Sequence, residues 1–319
     1  MIVTVTLNAA IDKTLSVPNF RLGRRHRTVD GETTPGGKGV NVARVLKALG
    51  APVIATGLAG GPTGTRIVEQ LTQESILSDF VRIREESRTN LSVVDPTNGV
   101  ETEVNERGPS VSAKELELFR DKLLYLARGA EIVVLAGSLP RGIEPAIYGE
   151  LVRELKRRDV LVVVDTDGEP LRQAVRAEPD VVSPNVHEAE ELVGHEFNDD
   201  EDRTVAVSEM VELGAREAIM TVEDGCFACL GGSADRTLHR VRVEPREVVS
   251  RVGSGDAFLA GWIAARYEGA DPAECLRRGV ACGTDSTARL GAGRVDPPGV
   301  EKILGDVEVE RLEAPASVG

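Results

Sequence analysis

Residues 248–265, VVSRVGSGDAFLAGWIAA, decide how this chain is read. The apolar pair Val248 and Val249 predicts the end of a strand, and Gly253-Ser254-Gly255-Asp256 predicts a glycine turn. Phe258, Leu259, Trp262 and Ile263 then recur at the three- and four-residue steps of a helix. Strand, turn and helix in that order aim backbone N–H groups outward at a helix N-terminus, where the dipole also favours negative charge. The stretch therefore predicts an anion-binding loop. A carboxylate, Asp256, is out of place there. Either Ser254 or Asp256 simply caps the helix, or Asp256 is a general base that deprotonates a hydroxyl as a phosphoryl group arrives beside the glycine amides.

Two better-known glycine loops are excluded. A dinucleotide fingerprint needs a third glycine where this chain has Phe258. A Walker A loop needs Gly-Lys followed by Ser or Thr, yet Gly37-Lys38 is followed by Gly39.

Composition narrows the rest. A chain of 319 residues with 41% hydrophobic and only 3% aromatic residues suits a Val-, Leu-, Ala- and Ile-built α/β core. The net charge of −14, with no basic stretch to offset it, argues against nucleic acid as a partner. No apolar run approaches a membrane span, and no signal peptide precedes the first extended stretch, so a cytoplasmic location and no membrane partner are expected. Basic residues are mostly Arg, with seven Lys. Cys226 and Cys229 form a lone C-x-x-C in a strand-like stretch, where an i, i+3 pair points to opposite faces and cannot share a metal.

Along the chain, the extended stretch from Ile2 ends at Asn8-Ala9-Ala10-Ile11-Asp12, placing Asp12 just past a strand. Residues 13–35 break the α/β alternation. So do Leu91–Val94 and Val100–Val104, separated by Asn98-Gly99, a hairpin signal. These two excursions, roughly 13–35 and 88–108, predict a small inserted β lid on a single α/β domain spanning 1–319. Between them Pro35-Gly36-Gly37-Lys38-Gly39 enters a helix over Val40–Leu49 with Asn41 in its first turn. Helices then alternate with the apolar strands Ile132–Ala136, Val160–Asp165 and Asp180–Ser183, and the acidic stretch Glu196–Asp202 reads as an exposed loop. Fully apolar strands between helices mark a mostly parallel sheet covered on both faces.

Several features fall at the expected C-terminal ends of strands: Asp12, Gly36–Asn41, Gly137-Ser138-Leu139-Pro140, Asp165, Asn185 with Glu188, and Gly253–Asp256. With PGGKGVNVARVLKALG at 35–50 and VGSGDAFLAG at 252–261, the chain resembles the phosphofructokinase B family of ribokinase-like carbohydrate kinases over roughly residues 2–300. Asn8-x-Ala-x-Asp12, Arg88-Thr89-Asn90 and Glu103-Val104-Asn105 look most like the branch acting on phosphorylated ketohexoses, which includes 1-phosphofructokinase, tagatose-6-phosphate kinase and the minor 6-phosphofructokinase.

The resemblance implies a ribokinase-like fold and ATP- and Mg²⁺-dependent phosphoryl transfer. Fructose 1-phosphate is the first acceptor expected; fructose 6-phosphate and tagatose 6-phosphate are the alternatives. It implies that Asp12 and Asn41 hold sugar hydroxyls, with Gly37, Asn90 and Ser138 beside them. Asp256 would be the base, and the amides of Gly253, Ser254 and Gly255 the anion hole. Lys38, Arg88 and Arg107 are the cations expected to read the substrate phosphate, with Arg25 and Arg27 assisting. Asn185 and Glu188 would organise Mg²⁺, and Thr221, Gly225 and Gly283 would line the nucleotide site. A homodimer through the lid is expected. Two departures stand out: Ser183 replaces a lysine common before N-x-x-E, and Thr221–Cys226 lacks a glycine of the nucleotide pattern. They leave a non-catalytic sugar-phosphate sensor as the rival from another class.

Overall fold

The computed structural model describes residues 1–231 and 235–312. The chain opens with β1 (Ile2–Thr6), β2 (Ala10–Ser16) and β3 (Asp30–Gly36), then α1 (Lys38–Ala48), β4 (Val53–Gly60), α2 (Gly61–Gln73) and β5 (Leu77–Ile83). A hairpin follows, β6 (Arg88–Asp95) and β7 (Val100–Asn105). Next come α3 (Ala113–Leu126), β8 (Ile132–Ala136), α4 (Ile147–Lys156), β9 (Leu161–Asp165), α5 (Gly168–Val175), β10 (Val181–Val182) and α6 (Val186–Val193). The last third holds α7 (Asp200–Glu212), β11 (Glu217–Val222), β12 (Gly225–Leu230), β13 (Thr237–Arg242), α8 (Ser254–Tyr267), α9 (Pro272–Ser286), α10 (Pro297–Leu304) and β14 (Glu308–Leu312).

These strands form two sheets. A ten-stranded sheet runs β14-β13-β12-β11-β10-β9-β8-β1-β4-β5, parallel from β11 to β5 and antiparallel from β11 to β14. A four-stranded sheet, β3-β2-β6-β7, forms separately. The large sheet is apolar on both faces because side chains alternate along each strand. In β8, Ile132, Val134 and Ala136 join the core under α1, α2, α8, α9 and α10, while Val133 and Leu135 join the core under α3 to α7. Cys226 and Cys229 obey the same rule, one in each core. Parallel strands buried on both faces place their C-terminal ends along one edge, where such sheets bind ligands.

Several local expectations are corrected. Val248 and Val249 are not in a strand but in an irregular, half-exposed segment; no neighbouring strand offers a partner, and the amides of Val249 and Ser250 donate instead to the Thr287 carbonyl. Asp12 lies within β2 of the small sheet, paired across from Asn90, rather than past the end of β1. Helix α1 starts at Lys38, two residues early. Residues 200–202 are the first turn of α7, capped by Asp199; three carboxylates there are favoured by the helix dipole. Arg25 and Arg27 are exposed, outside any strand.

Candidate active site

Two cavities meet at the N-terminus of α8. The first, about 480 Å³, lies between the small sheet and the C-terminal edge of the large one. The second, about 750 Å³, is lined by Thr221, Gly225, Phe258, Val280, Gly283 and Thr284. Asn185, Thr221, Arg251, Ser254 and Gly255 border both. The glycine turn is therefore the threshold between two ligand volumes.

Gly253 makes this turn possible. It is the N-cap of α8 with φ 77°, and a Cβ there would lie 2.5 Å from that of Ala292. No side chain caps α8. Ser254 and Asp256 are thus free of the capping role. The Ser254 amide donates to the Arg251 carbonyl (3.2 Å), whereas the amides of Gly253 and Gly255 make no backbone bond among the described residues.

Asp256 is buried, and its Oδ2 accepts from Asn41 Nδ2 at 2.8 Å. Burial and the negative charge of nearby Asp165 push its carboxyl up to about 7, against the opposing pull of Lys38 and Asn41. A carboxyl poised near neutrality suits proton acceptance at working pH. We expect kcat/KM to rise as pH rises through about 7, since the base must be ionised in the free enzyme; a pH–rate profile measures this.

Lys38 is not a free substrate cation. Its Nζ donates to Asp165 Oδ1 (2.8 Å) and Glu188 Oε1 (3.0 Å). Burial alone would depress its charge, but these carboxylates outweigh it and hold the ammonium firmly protonated. Nor do Asn185 and Glu188 simply project side by side. They form a reciprocal capping box on α6: Asn185 Oδ1 accepts from the Glu188 amide and Glu188 Oε2 from the Asn185 amide, both 2.9 Å. Among the described residues no three His, Cys, Asp or Glu gather into a metal site. Asp165 and Glu188 do supply the hard oxygen donors that Mg²⁺ takes when phosphates and water complete its shell, so the donor set fits that ion.

The first cavity is bordered by residues with unpaired polar atoms. Asn8 Oδ1, Asn41 Oδ1, Asn90 Oδ1 and Thr6 Oγ1 are buried without a hydrogen-bond donor, and all four residues line the first cavity. Buried acceptors left unpaired are costly, so a ligand rich in hydroxyl donors satisfies what the protein does not. Asp12 accepts from Asn90 Nδ2 (2.8 Å), and burial raises its carboxyl above the ordinary range despite Asn90 and Arg88. Gly36 leaves the room: a Cβ there would sit 1.9 Å from Asp12 Oδ2. Gly37 and Ser138 line the same cavity, and Ser138 Oγ accepts from Asn8 Nδ2 at 3.3 Å.

Arg88 borders this cavity, with Nε donating to the Asn8 carbonyl (3.1 Å) and Nη1 to that of Glu106 (3.0 Å). Arg107 does not reach it. It lines an adjoining hollow with Arg88, Glu106 and Arg141. Thr221, Gly225 and Gly283 line the second cavity, and Gly283 lets α9 approach the first turn of α8, its missing Cβ 3.2 Å from the Ser254 carbonyl. Sequence reading overlooks Arg251, which borders both cavities, because a lone Arg before a glycine turn carries no local signal.

Comparison with known proteins agrees with this geometry. The profile of the pfkB family carbohydrate kinases matches residues 4–297. A 1-phosphofructokinase of Borreliella burgdorferi is 33% identical over 312 residues, covering 98% of this chain and 99% of that protein. A tagatose-6-phosphate kinase of Staphylococcus epidermidis is 31% identical over 313 residues, covering 97% and 99%. A crystal structure from Thermotoga maritima, described as a possible 1-phosphofructokinase, superposes with a TM-score of 0.89 at 28% identity over 98% of this chain and all of that one.

Proposed function

The chain belongs to the pfkB family of carbohydrate kinases and is a sugar-phosphate kinase; from that premise we propose that it transfers the γ-phosphoryl group of ATP to fructose 1-phosphate, giving fructose 1,6-bisphosphate. The observation that carries this is the position of Asp256, held by Asn41 at the junction of two cavities, with the glycine amides beside it. The acceptor lies in the first cavity, with its hydroxyls on Asn8, Asn41, Asn90 and Asp12. ATP enters the second. Asp256 takes the acceptor proton as the phosphoryl group crosses the Gly253 and Gly255 amides, and the work is chiefly positioning and charge neutralisation. Asp165, Glu188 and Asn185 would hold Mg²⁺ together with the nucleotide phosphates, where it neutralises phosphate charge. The small sheet acts as a lid whose closure keeps water from the reacting phosphate.

A coupled ADP-release assay with Mg·ATP tests the acceptor. Fructose 1-phosphate should exceed fructose 6-phosphate, tagatose 6-phosphate and free fructose in kcat/KM by about a hundredfold, a difference of roughly 3 kcal/mol in transition-state binding. Preference for another of the three phosphates moves the acceptor and keeps the mechanism. Turnover of none favours a sensor.

Arg88 is assigned to the phosphate of the acceptor. Arg88→Ala should lower kcat/KM for the preferred sugar phosphate by about a hundredfold, the worth of a charge-assisted pair, and that for free fructose far less; equal losses would remove the assignment. The lid also presents Val100 and Val104 of β7 largely exposed, at 55% and 60%. A homodimer through this face would cover them, and light scattering at micromolar concentration should give twice the chain mass.

A further inference from the structure

Both edge strands of the small sheet send a carboxylate onto the main body. From β7, Glu101 accepts through Oε1 from Ser92 Oγ of its own sheet (2.6 Å) and through both oxygens from Ser250 Oγ (3.1 Å each). Its Oε2 also accepts from the Arg251 amide at 3.2 Å. Ser250 is buried, and its Oγ accepts in turn from the Val252 amide (3.2 Å), the residue before Gly253. From β3, Glu32 pairs with Arg294. Arg294 follows the Ala292–Gly293 segment against which Gly253 packs so closely that no side chain fits between them. The two loops that frame the glycine turn are thus each gripped from the opposite sheet.

Glu101 borders none of the cavities described above, so it does not touch a substrate there. What it holds is backbone. The segment 249–252 has no strand or helix of its own; on the main body the Thr287 carbonyl accepts from Val249 (2.8 Å) and Ser250 (3.2 Å), and the Arg251 side chain pairs with Glu223. A short irregular segment held from two sides takes its geometry from both. Asn90 and Ser92 lie on β6, which pairs with β7, and Asp12 lies on β2, which pairs with β6, so an acceptor seated on them fixes the same sheet that carries Glu101.

We infer that Glu101 is a positioning residue that couples seating of the acceptor under the small sheet to the shape of the Gly253–Gly255 turn. The inference rests on the kinase reading. Acceptor binding settles the sheet; Glu101 then fixes Ser250 and the Arg251 amide, and the turn amides take their productive place. With acceptor absent, the grip is looser and the turn less well formed.

The test uses the full chain and Glu101→Ala, Glu101→Gln, Ser250→Ala and the Glu101→Ala/Ser250→Ala double variant. With the acceptor the wild type prefers, Glu101→Ala should lose about tenfold in kcat with acceptor KM held within about twofold, as expected for misplacement of a group used at the transition state. Glu101→Gln, which still offers an acceptor oxygen, should recover most of it. Adding Ser250→Ala to Glu101→Ala should cost little more, because both act through one contact. Hydrogen exchange gives the second readout. In wild type, saturating sugar phosphate should slow exchange in both 88–105 and 249–256; in Glu101→Ala only the first should slow. Unchanged kcat in Glu101→Ala, a loss confined to KM, additive losses in the double variant, or retained protection of 249–256 would each overturn the coupling. If the wild type turns over none of fructose 1-phosphate, fructose 6-phosphate and tagatose 6-phosphate, the kinase reading fails separately. Exchange then decides alone, and the absence of sugar-phosphate protection at 249–256 overturns the inference.

Discussion

Asp256→Asn will lower kcat by about a thousandfold, within the range a positioned general base supplies, and leave ATP binding within about twofold. The amide keeps the size of the carboxylate and can still meet Asn41, which donates to Asp256 at 2.8 Å. What it loses is the ability to accept a proton. The remaining activity should also lose its dependence on pH near 7, because the group responsible for that limb is gone. Single-turnover rates across pH, with nucleotide binding measured by calorimetry, check both halves. Retention of near-full turnover would remove Asp256 as the base.

Lys38→Met will have the next largest effect, and more than one readout will show it. The ammonium is shared by Asp165 and Glu188 and also lowers the carboxyl of Asp256. Its loss leaves three acidic groups facing one another with no cation between them. We expect kcat to fall by about a hundredfold, comparable to loss of one electrostatic donor at a reacting centre. The acid limb of the pH profile should shift upward, since removing a nearby positive charge makes Asp256 harder to ionise. Mn²⁺, measured by electron paramagnetic resonance without nucleotide, should bind more tightly to the variant than to wild type, because two carboxylates become available. Unaltered Mn²⁺ affinity and an unmoved acid limb would show that Lys38 is not the counter-ion of this cluster.

The sequence discloses the parts of this molecule whose signal is local. Ile132–Ala136 and residues 161–164 are uninterrupted apolar runs because parallel strands in the sheet centre are buried on both faces. The edge strands β5 and β14 escape notice for the opposite reason: Ser78, Asp79 and Arg82 in one, and Glu308, Glu310 and Arg311 in the other, face away from the cores and break the pattern. Val248 and Val249 mislead because an apolar pair reads as a strand whether or not another strand lies beside it. The glycine turn and Asp256 are visible since their residue types are tied to one backbone shape. Lys38 is visible as a cation, but its partners sit 127 and 150 residues away, and no spacing rule reports such a pairing. For the same reason Glu101, separated by 149 residues from Ser250, looks like any other lid charge.

The bond between Asn41 and Asp256 spans 215 residues, which has a bearing on biosynthesis. At roughly 5–20 residues per second, a ribosome needs on the order of ten to forty seconds to pass from one partner to the other. From the start of that interval the nascent chain carries Asn8 and Asp12, and Asn90 joins them early in it, but neither Asp256 nor the glycine turn exists until its end. Apolar surface on α1 that α8 later covers stays open for as long, and such transiently exposed surface is prone to aggregation.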